Sequence, residues 1–512
     1  MKNIKRKFDF KLTHNFLEQN FILCPKEIAI ETPNLVLTYE ELFLRVKRLS
    51  HALLENKLKK NDRVALFCKN DTAFCELMFA CSILNLVLVP INFRLTHKEI
   101  EYILSDSKAK MIFFGQEFEE QINKIKFKSS LPKRNIKITI NGDYDGFLND
   151  QTNRLEFNIN SEDTLFQMYT SGTTGHPKGV LINHRNIVSL IRNGKDKLGP
   201  FKENSISLVC MPLFHIAGSA WLFFGIAAGC KNILVVDINP EQILRTIIDK
   251  SVTCTLLVPS VIHMICGSAK RTKIVINNLK TLVFGASPMP VSLLNKAKLI
   301  FPNTDFIHVY GLTETTGMFM SLNLSETDND KMLESCGKCF SNSKVKIIND
   351  KGSELAKYEI GEIICKSHQV MKGYYNNVKE TNKVIINDWF YTGDAGYLDN
   401  NENLFIKDRI KDVIISGGEN IYPIEVENVL LSNPLVSDVA VIAAPDQKWG
   451  EIVVAVVITE EDISKDFETN LLNFCKNKLA NFKIPKKIIF KESLPKNASG
   501  KVLKNELRNM LN

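Results

Sequence analysis

The sequence predicts an α/β protein, because short apolar runs alternate with longer amphipathic ones along the chain. Arg63-Val-Ala-Leu-Phe67 is typical of a strand, Ala73 to Leu88 of a helix, and Lys110-Met-Ile-Phe-Phe114 of the next strand. The pattern recurs in later apolar runs, which begin at Lys231, Cys254 and Thr281. Such alternation is typical of helices layered on parallel sheets.

Length and composition indicate a folded, multidomain protein. At roughly 100 to 200 residues per domain, 512 residues have room for about two to four domains. With 45% hydrophobic and 24% charged residues, disorder and fibrous repeats are excluded. The net charge of +8 is spread along the chain and accompanies no zinc-finger spacing or basic zipper, so we expect no nucleic-acid partner. Anionic small molecules fit this charge better.

The cellular location is predicted from the N-terminal segment and from one uncharged stretch. No apolar run of a secretory signal follows the charged start, so we expect a cytoplasmic protein whose 12 cysteines are reduced. Val209 to Cys230 has the length of a membrane span but contains Pro212, His215 and several glycines. We therefore expect a loop and a buried helix there, and no span. The dispersed positive charge leaves peripheral contact with anionic lipid open.

The character of the chain changes at two places. Residues 116–160 are rich in Lys and Asn and poor in apolar periodicity, so we expect a surface excursion without chemistry. Near residue 400 an Asp-Asn-Asn-Glu-Asn turn precedes a tract with the pattern helix, strand, strand, helix. This change predicts a small C-terminal domain, with residues 1–408 before the boundary and residues 409–512 after it.

A glycine-rich loop carries the densest chemical signal. Tyr169-Thr-Ser-Gly-Thr-Thr-Gly-His-Pro-Lys-Gly-Val180 follows directly after the apolar run Leu165 to Met168. Glycines let successive backbone N–H groups face one point, hydroxyls add donors, and Lys178 adds a positive charge, which together suit a polyphosphate. The loop is not a Walker loop, because Pro177 and Gly179 flank the lysine where that motif requires Gly and Ser or Thr.

The loop resembles the signature of the adenylate-forming superfamily, which includes acyl-CoA synthetases, firefly luciferase and peptide-synthetase adenylation domains. Motifs similar to the superfamily's other signatures follow in order: Tyr310-Gly-Leu-Thr-Glu-Thr-Thr-Gly317, Tyr391-Thr-Gly-Asp394, Asp408-Arg-Ile-Lys-Asp-Val-Ile-Ile-Ser-Gly-Gly-Glu-Asn-Ile421 and Asn497-Ala-Ser-Gly-Lys501. The resemblance runs from about Leu37 to the end. It implies a large N-terminal domain of two α/β subdomains plus a small β-barrel, and a small mobile α+β C-terminal domain.

The resemblance implies a nucleotide site. The glycine-rich loop would hold the β- and γ-phosphates of ATP, and the Tyr310 ring would stack on adenine. Asp394 would accept both ribose hydroxyls, with Arg409 donating beside it. The implied ATP and AMP ligands are Thr170, Ser171, Gly172, Thr173, Thr174, Gly175, Lys178, Gly285, Ala286, Ser287, Tyr310, Gly311, Asp394 and Arg409.

The resemblance also implies the catalytic groups, which are Lys501, Thr313, Glu314 and His215. Lys501 would bridge the acid's carboxylate and the α-phosphate, and a cation there neutralises charge that develops during attack. Thr313 would contact the α-phosphate, and Glu314 would bind Mg²⁺, a metal that prefers oxygen ligands. His215 would lie beside the acyl carboxylate.

Thioester formation would require a second arrangement, because Lys501 and CoA cannot both occupy the same carbonyl. The resemblance implies that the C-terminal domain rotates about a hinge at Lys411. Ser416, Gly417 and Gly418 would then present backbone to CoA.

Two signals stand outside these motifs. His308 occupies the position where many relatives carry Asn or Gln for the adenine amino group. Cys336 and Cys339 form a lone Cys-x-x-Cys without the further ligands of a zinc site or a thioredoxin-like setting, so we expect neither metal nor redox use there.

The predicted function is that of an AMP-forming acyl-CoA synthetase, with ATP and CoA as co-substrates and Mg²⁺ as cofactor. We expect a fatty or medium-length acid, because the run Met211 to Gly229 is apolar and offers no charged partner for a substrate amine. An aryl acid and an acyl-carrier protein as acceptor stay open as alternatives. A nucleotide-binding regulator without turnover is the non-enzymatic alternative.

Overall fold

The protein is described by a computed structural model that covers residues 8–125, 135–138, 143–170, 177–198, 201, 204–287, 289–327, 330–459, 466–496 and 502–510. Its helices are α1 (Asn15–Leu23), α2 (Tyr39–Glu55), α3 (Thr72–Leu84), α4 (His97–Ser107), α5 (Glu119–Asn123), α6 (Asp143–Phe147), α7 (His184–Gly194), α8 (Ile216–Ala228), α9 (Pro240–Asp249), α10 (Pro259–Thr272), α11 (Val291–Ile300), α12 (Val378–Val384), α13 (Pro423–Leu431), α14 (Phe467–Lys476) and α15 (Lys504–Asn509).

The strands follow the same chain-order numbering. They are β1 (Ile28–Glu31), β2 (Val36–Thr38), β3 (Arg63–Phe67), β4 (Val87–Pro90), β5 (Met111–Gly115), β6 (Asn135–Ile138), β7 (Thr164–Thr170), β8 (Lys178–Asn183), β9 (Ile206–Val209), β10 (Lys231–Leu234), β11 (Cys254–Leu257), β12 (Thr281–Gly285), β13 (Asp305–Leu312), β14 (Gly317–Asn323), β15 (Lys338–Cys339), β16 (Lys344–Ile348), β17 (Gly361–Lys366), β18 (Gly373–Tyr374), β19 (Ile385–Ile386), β20 (Trp389–Leu398), β21 (Leu404–Arg409), β22 (Ile414–Ser416), β23 (Glu419–Ile421), β24 (Val436–Asp446), β25 (Gly450–Thr459) and β26 (Lys487–Phe490).

The first sheet has the strand order β18-β8-β7-β4-β3-β5-β6. Its pairs from β7 to β6 are parallel, and β8 and β18 are antiparallel additions at one side. The strands predicted at Arg63 and Lys110 are confirmed as β3 and β5. The expectation of a pure surface excursion for residues 116–160 is wrong in one respect, because β6 from this tract pairs with β5 and extends the sheet.

The second sheet has the order β15-β14-β13-β12-β11-β9-β10-β1-β2 and is parallel from β1 to β13. The strands predicted near Lys231, Cys254 and Thr281 are confirmed as β10, β11 and β12. Helix α8 lies within the largest apolar core, where the ring of Phe223 makes edge contacts with Phe79 and Phe166. The loop and buried helix expected for Val209 to Cys230 are therefore found. In the part of the chain that the structure describes, no helix is long and apolar enough to cross a membrane.

The remaining sheets are smaller. An antiparallel sheet with the order β16-β17-β20-β19, to which β21 adds by pairing with β20, precedes the C-terminal sheet in the chain. The fourth sheet has the order β23-β22-β25-β24, with β26 added parallel to β25. Around this last sheet, residues such as Ile414, Val441 and Leu471 form an apolar core of their own. The predicted fold class, large α/β layers followed by a small separate α+β unit, is confirmed.

Candidate active site

The predicted phosphate loop is closed by a β-hairpin. Strands β7 and β8 pair antiparallel, and Thr170 stands opposite Lys178 at the last position of the ladder. The loop residues Ser171, Gly172, Thr173, Thr174 and Gly175 lie outside the described residues. The hairpin therefore fixes both ends of the loop, with Lys178 at its base.

The Lys178 side chain contacts a helix far away in sequence. Its Nζ lies 2.5 Å from Oε2 of Glu380 in α12. It also lies 5.1 Å from the ring centroid of Tyr374, in the cation–π range. The other oxygen of Glu380 binds Lys383 at 2.5 Å. These two lysines lower the pKa of the Glu380 carboxyl to about 2.

Glu314 lies on a single helical turn, Thr313–Thr315, that joins β13 to β14. The Tyr374 hydroxyl donates to Glu314 Oε1 at 2.9 Å, and the Met371 backbone N–H donates to the Glu314 carbonyl at 2.8 Å. Tyr374 thus contacts both Lys178 and Glu314, and it brings the two implied phosphate-side residues to one place. Thr313 shares the turn with Glu314.

The carboxylate of Glu314 fits one kind of magnesium site. Among the described residues, no group of three or more His, Cys, Asp or Glu side chains could hold a metal ion. Mg²⁺ in nucleotide enzymes commonly uses one or two carboxylates together with phosphate oxygens and water. One carboxylate, linked to Lys178 through Tyr374, therefore suits a metal that arrives with the nucleotide.

Asp394 links two further implied nucleotide residues. Its Oδ2 accepts from the Tyr310 hydroxyl at 2.5 Å, and its Oδ1 lies 2.7 Å from Arg409 Nε. Asp394 in β20 and Arg409 in β21 are opposite each other in the ladder, so the sheet register sets this ion pair. Burial and the Asp394 charge raise the pKa of the Tyr310 phenol well above its usual value. Tyr310 therefore stays protonated and acts as a donor to Asp394.

The carboxyl ends of β12 and β13 require glycine. A Cβ on Gly285 would lie 2.3 Å from the Val309 carbonyl oxygen, and one on Gly311 would lie 1.9 Å from that of Gly317. Both distances are closer than real contacts, so these backbones can meet only without side chains. Ala286, with a φ of 68°, and Ser287 follow at the carboxyl end of β12, one strand away from Tyr310.

His215 caps the first turn of α8. Its Nδ1 accepts from the Ala217 backbone N–H at 3.2 Å, so the proton of the neutral ring resides on Nε2. Removal of the imidazole from water lowers the pKa of His215 to about 4. The next turns of α8 contact the strand that follows Glu314, because a Cβ on Gly317 would lie 3.5 Å from Ile216 and 3.9 Å from Ala220. His215 is thus an uncharged donor on the helix that packs against the Glu314 turn.

His308 is held by its surroundings. Its ring stacks on Phe284 at 4.9 Å between centroids, and Nδ1 lies 2.8 Å from the Ser335 carbonyl oxygen. Burial lowers the pKa of His308 to about 4, so the ring is neutral with its proton on Nδ1. Nearby, burial raises the pKa of the Cys336 thiol, and Cys339 donates to the Ser343 carbonyl. Neither cysteine has the character of a reactive thiolate.

The predicted CoA-side residues stand on the separate C-terminal sheet. Ser416 ends β22, and Gly417 and Gly418 form a tight turn with φ values of 60° and 88°, which favour glycine. The Gly417 N–H donates to the Trp449 carbonyl at 2.8 Å. A Cβ on Gly417 would meet the Trp449 ring at 2.9 Å, whereas Gly418 faces open space. The turn is exposed, and its contacts are on its own sheet instead of with Tyr310 or Glu314.

A hydrogen bond and an ion pair hold the residues around the predicted hinge. Lys411 is exposed in the single turn Ile410–Asp412. Asp408, just before it, accepts from the Ile424 backbone N–H of α13 at 3.0 Å, and burial raises the pKa of its carboxyl to about 6. Lys504 of α15 lies 2.8 Å from Glu427. Lys501 lies outside the described residues, so its position is not part of this geometry.

Two residues of the cluster were missed by sequence reasoning. Tyr374 and Glu380 lie in none of the motifs on which the resemblance rests. Glu380 is 202 positions from Lys178, and Tyr374 is 60 positions from Glu314. Such contacts arise from the pairing of β18 with β8, which local periodicity does not predict.

The chain matches two protein-family models. The model for AMP-binding enzyme matches residues 19–375, and the model for AMP-binding enzyme C-terminal domain matches residues 425–501. Together these matches extend over most of the chain.

The chain is similar to several named ligases and to solved ligase structures. The long-chain-fatty-acid–CoA ligase FadD13 of Mycobacterium tuberculosis is 33% identical, over 96% of this chain and 97% of its own. The fatty acid–[acyl-carrier-protein] ligase ScoC of Streptomyces coeruleorubidus is 32% identical, over 94% and 93%. The o-succinylbenzoate CoA synthetase of Bacillus subtilis, solved with its acyl-adenylate intermediate, has a TM-score of 0.85 at 32% identity, with 96% and 98% covered. Solved with ATP and magnesium ion, it has a TM-score of 0.84 at 31% identity, with 96% and 99% covered.

Proposed function

This chain belongs to the AMP-binding enzyme family, and we propose that it joins a fatty or medium-length carboxylic acid to CoA through an acyl-AMP intermediate. The similarity to ligases with named CoA activity extends over nearly the whole chain and supports an adenylate-forming ligase that acts on an acyl or aryl acid. The observation that carries the proposal is that residues from separate motifs meet around Tyr374 and Asp394.

In the first half-reaction, a carboxylate oxygen of the acid attacks the α-phosphorus of ATP. The bond between the α- and β-phosphates breaks, and pyrophosphate leaves. The phosphate-loop hairpin with Lys178 would hold the departing phosphates, and preorganised cationic and N–H donors are effective there because they need no reorganisation. Asp394 would hold the ribose, since each of its oxygens has a second lone pair beyond those used by Tyr310 and Arg409.

Glu314 would be the protein ligand of Mg²⁺, which supplies positive charge for the phosphate oxygens when bound. Its carboxylate accepts a hydrogen bond from Tyr374 at one lone pair, and its other lone pairs are available for a metal. His215, neutral and protonated on Nε2, would donate to the acid's carboxylate. In the second half-reaction the CoA thiol attacks the acyl carbonyl, and AMP leaves.

Residues 409–512 would form the mobile domain, with rotation at Lys411 between the two half-reactions. Lys501 would act in the first of them. We therefore expect Lys501→Ala to abolish acyl-adenylate formation while supplied acyl-adenylate is still converted to thioester. Equal loss of both half-reactions would overturn this division of labour.

The acid is proposed from the apolar character of α8, where Trp221, Phe223 and Phe224 are buried and no charge is available for a substrate amine. An aryl acid is the second candidate, because the o-succinylbenzoate synthetase is as similar in sequence as the fatty-acid ligase. The test is pyrophosphate release across saturated acids from acetate to stearate and across aryl acids, with CoA or with an acyl-carrier protein. Release with saturated acids and thioester with CoA are expected. If aryl acids alone react, or the carrier protein alone accepts the acyl group, the proposed substrate or acceptor is wrong.

A further inference from the structure

The carboxylate of Glu380 is paired with Lys178, the lysine that the phosphates of ATP would need. Its Oε2 lies 2.5 Å from Lys178 Nζ, and the two side chains are only 16% and 12% exposed. Lys178 is at the base of the hairpin that closes the phosphate loop, opposite Thr170. A triphosphate that binds Lys178 must therefore either displace a carboxylate or share the ammonium with it.

Glu380 itself is firmly placed. It lies in the first turn of α12, where its backbone N–H donates to the Asn377 side chain at 3.1 Å. Its second oxygen binds Lys383, one turn further along the same helix. The ring of Tyr374, in the strand β18 that precedes α12, makes a cation–π contact with Lys178. The backbone of Glu380 is thus held at the start of α12, and its carboxylate has a second partner, Lys383, besides Lys178.

A negative charge at this position opposes the binding of phosphate. Two like charges that share one cation repel each other, most strongly where water is partly excluded. The same opposition acts on ATP when it enters and on pyrophosphate before it leaves. Removal of the carboxylate would free the ammonium for both ligands.

We propose that Glu380 is a positioning residue that competes with phosphate for Lys178, and so weakens the hold of the enzyme on ATP and on the pyrophosphate product. This inference rests on the proposed function, in which Lys178 serves the phosphates. Glu380 acts only through Lys178 and touches no reacting atom. Its removal should change the binding constants of ATP and pyrophosphate and not the rate of the chemical step.

The test is the isosteric variant Glu380→Gln, measured by acid-dependent exchange of pyrophosphate into ATP and by calorimetric binding of each ligand. We expect the KM for ATP and the inhibition constant of pyrophosphate each to fall by about three- to ten-fold, as for release of one partly buried ion pair. The kcat should not rise. A KM for ATP that stays unchanged or increases would overturn the proposal.

A matched control separates competition from a structural role of α12. Lys383→Gln removes the other partner of Glu380 and leaves its contact with Lys178. We expect neither constant to fall in this variant. If Lys383→Gln tightens the binding of ATP and pyrophosphate as Glu380→Gln does, the effect does not depend on the contact between Glu380 and Lys178, and the inference is wrong.

A second control tests the route through Lys178. In a Lys178→Gln background, Glu380→Gln should no longer tighten the calorimetric binding of pyrophosphate, because the two changes act on one interaction. Additive effects would contradict the inference. Absence of acid-dependent exchange in the unaltered enzyme would instead defeat the proposed function, so the two failures are distinguishable.

Discussion

Asp394→Asn tests the nucleotide site most sharply among single substitutions. The aspartate is buried and 5% exposed, with one oxygen facing Tyr310 and the other facing Arg409. Each carboxylate oxygen has two lone pairs, so one on each stays available for a ribose hydroxyl. Asparagine replaces one of these oxygens with an NH₂ group, which cannot accept, and it removes the negative charge from the other.

The expected cost follows from these contacts. A hydrogen bond to a charged group contributes about 1.5–3 kcal/mol, and 1.4 kcal/mol corresponds to about ten-fold in binding. The KM for ATP should therefore rise by about ten- to one-hundred-fold. Arg409 loses its carboxylate as well, but its side chain is 31% exposed, so water compensates and the stability loss should be about 1 kcal/mol.

The assay is acid-dependent pyrophosphate exchange with ATP and with 2′-deoxy-ATP. Loss of a hydroxyl should weaken binding in the unaltered enzyme, and this discrimination should shrink in Asp394→Asn. Tyr310→Phe is the matched control, because it keeps the ring and both Asp394 oxygens, and it should change the KM by less than about three-fold. An unchanged KM for ATP in Asp394→Asn, or unchanged discrimination between the two nucleotides, would refute the assignment of Asp394 to the ribose.

Two further predictions concern stability. Burial raises the pKa of Asp408 to about 6. The folded protein therefore binds the carboxyl proton of Asp408 more tightly than the unfolded chain does. The stability gained from this proton is lost as pH rises through about 6. Asp408→Asn should remove about 1 kcal/mol of that decline between about pH 5 and about pH 7, measured by denaturant unfolding; an identical decline in both proteins would contradict it. Arg45→Met leaves the fully buried Glu76 without its 2.8 Å ion pair and should cost about 3 kcal/mol in the same assay. Arg48→Met removes an ion pair with Asp150, which is 99% exposed, and a hydrogen bond to the Asn149 carbonyl; it should cost less than about 1 kcal/mol, and equal costs for the two variants would count against the burial argument.

Local periodicity predicted the strands better than it predicted where helices end. The helix expected from Ala73 to Leu88 ends at Leu84, because Asn85 adopts a left-handed conformation with a φ of 54°. The following residues form the buried strand β4, and a fully apolar run does not distinguish a buried strand from a buried helix. Edge strand β6 was missed for the opposite reason, since its segment shows weak apolar periodicity.

The candidate site was predicted in its motifs but not in its connections. The structure places Tyr310 and Arg409 in direct contact with Asp394, a connection that their separate motifs did not indicate. It also gives Lys178 a partner, Glu380, that no motif indicated. This contact depends on the short strand β18, which aligns α12 with the hairpin. A pairing of two residues at that edge leaves no signature in the sequence.

The central claim, that the acid is activated as acyl-AMP, is tested most directly by isotope transfer. A substrate acid carrying a heavy oxygen isotope in its carboxylate is converted with ATP and CoA, and the AMP and pyrophosphate are examined by mass spectrometry. Carboxylate attack on the α-phosphorus predicts that one labelled oxygen appears in AMP, while pyrophosphate stays unlabelled. Label in inorganic phosphate together with ADP, or AMP without label, would contradict it.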